Sequence, residues 1–215
     1  MKDLTLGARL MFRRLRPLFC LIVTAVTLSG CYLPARFDSE IELDRRGYYK
    51  VMFSGYVVDT RLYGELKNGK MSSADEVEEV KKLKTDIERD PNASDFGYIK
   101  QGYFKMKWQR EGDLLKAKSV TFLRRNEMIF TLAYNKETYL VNLLGRSLST
   151  KQKDQIVQSG LNSSGELRVI TDTRVISHNA DEVKDFPSRG SRTKVYIYRI
   201  PNIYRATPQM QISLR

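Results

Sequence analysis

The sequence predicts a single α+β domain: a mainly antiparallel sheet of seven to nine strands with two or three helices. Three observations predict it. Several short stretches alternate apolar and polar residues, beginning with Phe37, Ile41 and Leu43 against Asp38, Glu40 and Glu42, the pattern of a half-buried strand. A longer stretch places Val77, Val80, Leu83 and Ile87 on one helical stripe. The composition, 41% apolar and 29% charged over 215 residues, is that of a globular chain long enough to bury a core. Two cysteines are too few for a disulfide framework, and one histidine argues against zinc clusters and histidine-based triads.

The elements follow in chain order. After the strand at 37–43, Asp44-Arg45-Arg46-Gly47 reads as a turn and Tyr48 to Val57 as the returning strand. Ser72 and Ser73 before Asp75 and Glu76 suit a capping box, and Asp90-Pro91 stops the helix that follows. Its acids Asp75, Glu76, Glu78 and Glu79 favour the positive end of the helix dipole rather than a cation site. From Phe96 to Tyr134 the chain reads as a three-stranded meander. A turn at Glu111-Gly112 pairs Lys107 with Lys116 and Lys105 with Lys118; a turn near Arg125-Asn126 pairs Leu123 with Met128 and Thr121 with Phe130. That register gathers Phe104, Met106, Trp108, Leu115, Ala117, Leu123, Met128, Phe130 and Leu132 on one face, the core face.

The opposite face then carries Lys105, Lys107, Lys116 and Lys118 as two like-charge pairs. Each pair costs up to about 1 kcal/mol unless water or an anion relieves it. The same face turns apolar at Val120, Phe122 and Ile129. The four lysines are therefore a candidate anion or headgroup site, with solvated lysines and a helix over the apolar part as the alternative. Farther on, a helix occupies Lys151 to Ser159, entered from Thr150 and ended by Gly160. Strands follow at Glu166–Thr171, Arg174–His178 and Thr193–Ile200, with a mobile loop before the last and a final strand at Met210, Ile212 and Leu214.

Residues 1–30 stand apart. Arg9, Arg13, Arg14 and Arg16 precede an apolar stretch from Leu18 to Leu28, about half the roughly 20 residues that span a bilayer, so it reads as a secretory signal. Translation starts at Met1 or at Met11, which gives a signal of more usual length. The stretch ends in Leu28-Ser29-Gly30-Cys31, which resembles the lipobox of bacterial lipoproteins. The resemblance implies cleavage between Gly30 and Cys31, a diacylglyceryl thioether on Cys31, and acylation (palmitate or a similar chain) of its new amine. Two or three chains anchor a protein durably where one does not. Cys20 leaves with the signal. Tyr32, where many inner-membrane lipoproteins of enteric bacteria carry aspartate, implies the inner leaflet of the outer membrane, facing the periplasm. The expected organisation is a signal peptide at 1–30, a lipid-anchored linker at 31–34 reaching about 10 to 15 Å, and the domain at 35–215.

The whole chain carries a formal net charge of +12. Removing 1–30 leaves 32 basic against 24 acidic residues, a net of +8. Outside the cytoplasm, and with no nucleic-acid motif, that charge points to anionic lipid or an acidic protein face rather than nucleic acid; solubility alone is the other reading. His178 sits on a strand beside a turn with no second histidine or cysteine, so it reads as structural and not as a metal ligand. No serine lies in a nucleophile elbow or a Ser-x-x-Lys arrangement, and no glycine loop cradles phosphate. No cofactor is expected.

Gly165-Glu166-Leu167-Arg168-Val169-Ile170, then Val175-Ile176-Ser177-His178-Asn179-Ala180, then Lys194-Val195-Tyr196-Ile197-Tyr198 resemble the C-terminal part of the LppM-type lipoprotein domain. The closing strand of that type usually has a tryptophan where this chain has Tyr196 and Tyr198. The resemblance implies an α+β domain with a lipid- or glycolipid-binding role, and it assigns no binding residue. The leading functional expectation is a non-catalytic lipoprotein acting as a binding or accessory subunit of an envelope protein assembly. Envelope lipid or glycolipid binding is the alternative, and an envelope hydrolase the least favoured. Lipid binding predicts an apolar cavity beside the four lysines; assembly predicts an exposed strand edge or aromatic patch.

Overall fold

The computed structural model describes residues 32–122 and 129–215. The lipobox, with Gly30 and Cys31, and the expected pairing of Leu123 with Met128 lie outside the described residues. The fold is α+β, as expected, with twelve strands among the described residues rather than seven to nine. They form two sheets rather than one.

The first strand, β1 (Tyr32–Leu43), starts at once after Cys31, so the expected linker is already strand at Tyr32–Pro34. It turns at Asp44, whose carboxylate accepts from the backbone amides of Arg46 and Tyr48, and returns as β2 (Tyr48–Asp59). Asp59 caps a helix missed from the sequence, α1 (Thr60–Lys67), by accepting from Leu62 N at 2.8 Å. The next helix, α2 (Ser73–Ile87), has the capping box at Ser72 and Asp75. Val80, Leu83 and Ile87 pack on the core as expected, whereas Val77 is 70% exposed and off the stripe.

Next come β3 (Ala93–Lys100) and β4 (Tyr103–Asp113), an antiparallel hairpin, and here the expected meander fails. β4 runs straight through Glu111 and Gly112, which pair with Lys50 and Tyr49 of β2. The chain turns only at Asp113, which caps the one-turn helix α3 (Leu114–Ala117) through Leu115 N at 2.8 Å. Lys105 therefore pairs with Tyr56 and Gly97, not Lys118. Beyond α3, β5 (Ser119–Phe122) joins the other sheet and pairs with β6 (Phe130–Asn135) through Thr121 and Thr131, one residue from the expected register. A one-residue shift exchanges faces, so Val120 and Phe122 are buried with Phe130 and Leu132 instead of opposing them.

The rest comprises β7 (Leu140–Gly145), α4 (Thr150–Gln158), β8 (Ser164–Thr171), β9 (Arg174–His178), β10 (Glu182–Asp185), a single 3-10 turn at Pro187–Arg189, β11 (Lys194–Ile200) and β12 (Gln209–Ser213). The larger sheet has the order β10-β11-β8-β1-β2-β4-β3 and the smaller β5-β6-β7-β12-β9. Every pairing is antiparallel except that of β1 with β8. Both sheets share one core: Ile41, Phe53, Phe104 and Trp108 from the larger meet Phe122, Leu132, Leu143 and Ile212 from the smaller. Rings form a continuous run through it, with centroids 4.5 Å apart for Phe53 and Phe122 and 5.0 Å for Trp108 and Phe122.

Candidate functional site

The structure does not bring the four lysines together in the expected cross-strand pairs. Lys107 makes a 2.8 Å ion pair with Asp95 on the neighbouring strand, which lowers the Asp95 pKa through that hydrogen bond. Lys116 lies 3.7 Å from Asp113 within its own helical turn. Lys118 donates to the Leu115 carbonyl and lies 5.4 Å from the Tyr134 ring centroid. Lys105 is exposed on β4. The apolar patch expected beside them is interior, since Val120 and Phe122 are fully buried.

An apolar concave site lies elsewhere, where the sheets part at the Tyr32 end of β1. There a cavity of about 440 Å³ opens between them, within the range of small-ligand pockets. The larger sheet supplies Phe37, Phe53 and Leu167, and the smaller Phe130 and Leu143; α1 and α4 close the sides with Tyr63 and Ile156. Phe37 forms part of the wall because glycines flank it in register: Gly55 on β2 and Gly165 on β8. A Cβ on Gly165 would fall 2.4 Å from Phe37 O and 2.7 Å from its ring. Phe37 then stacks on Phe53 with centroids 5.8 Å apart, joining the cavity wall to the core.

The charged residues lining the cavity are Arg146, Lys153 and Arg205; no acid lines it among the described residues. Arg205 is held by Asp181 at 2.6 Å and by the Asn179 carbonyl. Its other polar lining is small: Ser39, for instance, donates to Met52 O at 2.8 Å and leaves an apolar surround. The arrangement suits an aliphatic chain inside with an anionic group at a basic rim. Sequence alternation marked Phe37 as inward-facing, but the partners that make a cavity of it come from α4, β8 and the segment 202–208, over a hundred residues later.

The outer wall is held loosely. No residue of α4 is buried. Its C-terminal end is tied to α1 where Tyr63 Oη (3.0 Å) and Lys67 Nζ (2.6 Å) both donate to the Ser159 carbonyl. Gly160, with φ +87°, then turns the chain away. Its middle is tied to the segment after β11 by Tyr204 Oη donating to Asp154 at 2.8 Å, which raises the Tyr204 pKa.

Other charged groups serve structure. Arg168 on β8 pairs with Asp38, Glu166 and Glu40 at 2.6, 2.9 and 3.1 Å; partial burial opposes its charge, and the three carboxylates outweigh it. His178 stands edge-on to Tyr196, and its Nδ1 accepts from Ala180 N. Among the described residues no group of three or more His, Cys, Asp or Glu could hold a metal, and no helix is long and apolar enough to cross a membrane.

No protein-family model matches the chain, and no curated protein matches it. Among solved structures, the NMR structure of the folded domain of Mycobacterium tuberculosis LppM is similar, at 14% identity and a TM-score of 0.42. It covers 88% of this chain and 94% of that one. A likeness of that degree carries no argument about ligand or function. The three segments that resemble the LppM type fall on β8, β9 with the turn after it, and β11.

Proposed function

We propose that this chain is a lipid-anchored envelope protein that holds an anionic amphiphile, its acyl chain between the two sheets and its headgroup at Arg146 and Lys153. One observation carries the reading: an apolar cavity whose charged lining residues are all basic. The protein binds the amphiphile without performing a reaction on it. Anchoring through Cys31 and an outer-membrane address remain the expectations of the lipobox and of Tyr32.

Titration with a fluorescent fatty acid tests this. Leu148→Trp and Ile156→Trp each place a large ring in the cavity from a half-buried position. Saturable binding that both variants abolish, with the thermal transition unchanged, supports the reading. Equal binding by all three proteins removes it.

The assembly reading is supported by a different observation. Among the described residues β9 pairs only with β12 and leaves Ile176 exposed at a sheet edge. At the corresponding edge of the larger sheet, β10 carries Glu182, Lys184 and Asp185, charges that discourage strand addition. Photocrosslinking from Ile176 in cells tests whether a protein lies against β9.

A further inference from the structure

We propose that the mouth of the cavity is the surface by which the protein lies on an anionic bilayer, so that lipid passes between membrane and cavity without crossing water. The inference rests on the lipid-anchored, amphiphile-binding reading above and adds where that site meets its source.

The anchor fixes the geometry. Tyr32 is buried and lines the cavity, and consecutive Cα atoms are 3.8 Å apart, so an acylated Cys31 begins within one residue of the cavity wall. The membrane is therefore at this end of the molecule. The surface around the mouth has the composition of an interfacial one. Segments 146–160 and 200–208 together carry Arg146, Lys151, Lys153 and Arg205 against a single acid of their own, Asp154, which already accepts from Tyr204; Asp181, from outside them, pairs with Arg205. Beside these charges, Val157 is 39% exposed on α4 and Tyr204 48% exposed on the adjoining segment. The far end of the molecule, about 36 Å along β1, also gathers arginines. There Arg45, Arg46 and Arg189 are paired with Asp172, Asp44 and Glu42, much as Arg205 at the mouth is with Asp181, so the position of Cys31 and not charge alone selects the mouth.

The test uses the full lipoprotein reconstituted in phosphatidylglycerol vesicles. With Cys31 acylated and Cys20 removed with the signal, Val157→Cys and Tyr48→Cys each give a unique thiol for a spin label. Power saturation is read against oxygen dissolved in the lipid and a nickel reagent in the water. The expected result is a lipid-exposed label at 157 and a water-exposed label at 48, with Lys151→Glu returning the label at 157 to water. An equally aqueous label at both positions, or a lipid-exposed label at 48, overturns the proposal. Fluorescent fatty-acid retention separates the two ideas. Retained ligand with an aqueous label at 157 removes the docking surface alone, whereas loss of ligand binding removes the cavity reading on which it depends.

Discussion

Gly55 and Gly165 stand on either side of Phe37, and their missing side chains are what allow that ring to form the cavity wall. Gly165→Ala is expected to cost about 1–3 kcal/mol through overpacking and to weaken fatty-acid binding, read by urea denaturation and titration. Equal stability would mean the ring has room the geometry denies it. Asp59, 2% exposed at the head of α1, gives a pH signature. Burial raises its pKa, outweighing the hydrogen bond from Leu62 N and the nearby Arg61. The folded state thus holds this proton to higher pH than the unfolded chain. Its contribution to stability is greatest below about pH 4 and is lost as pH rises through the raised folded value. Asp59→Asn should remove that slope while keeping an acceptor for Leu62 N, whereas Asp59→Ala should also cost about 1 kcal/mol of capping. Denaturation curves across this pH range check both, and a slope unchanged in Asp59→Asn would assign it to another group. Charge at the rim is equally specific: Lys153→Gln should weaken binding of an anionic amphiphile about tenfold. Replacing Lys105, Lys107, Lys116 and Lys118 together by Gln should leave it unchanged in the same titration.

Elements defined by local signals were legible, and those defined by distant partners were not. α2 has its cap where the sequence placed it, at Ser72, whereas α4 begins at Thr150, one residue before the expected start, with Ser149 and not Thr150 as its cap. The β1–β2 hairpin carries its turn at Asp44–Gly47. β4 misled because Glu111-Gly112 looks like a local turn, yet Lys50 and Tyr49 of β2 offer that stretch a continued ladder, and no local pattern reveals it. The β5–β6 register was off by one because alternation fixes the spacing of a strand but not which residue faces its neighbour. α1 went unseen since its only buried residue is Leu62, too little for a helical stripe. α4 yields an element-scale prediction. Tyr63→Phe with Lys67→Met removes both donors to the Ser159 carbonyl, so amide exchange in α4 should quicken about tenfold while that of β1 and β2 stays unchanged. Unchanged protection of α4 by mass spectrometry would show that the Tyr204–Asp154 hydrogen bond and the apolar contacts of Ile156 hold the wall without this tie.

At the scale of the whole molecule, two sheets share a core at one end and part at the other, where β1 begins at Tyr32. Composition foresaw the core, and the lipobox pattern gave the expected address. The cavity was hidden because its walls come from β1, β2, α1, β6, β7, α4, β8 and the segment after β11, brought together only by the topology. The basic excess of residues 31–215 was visible, but its place was not: Lys105 pairs with Tyr56 and Gly97 rather than Lys118, and the cations lining the cavity are Arg146, Lys153 and Arg205. The central claim is that an amphiphile occupies this cavity. Native mass spectrometry of the domain from Tyr32 onward, exported without its acyl anchor and purified gently, tests it most directly when run before and after solvent extraction. The account predicts a lipid at one per chain that extraction removes and that Ile156→Trp never acquires. A clean unliganded mass, or a lipid that Ile156→Trp carries equally, would contradict it.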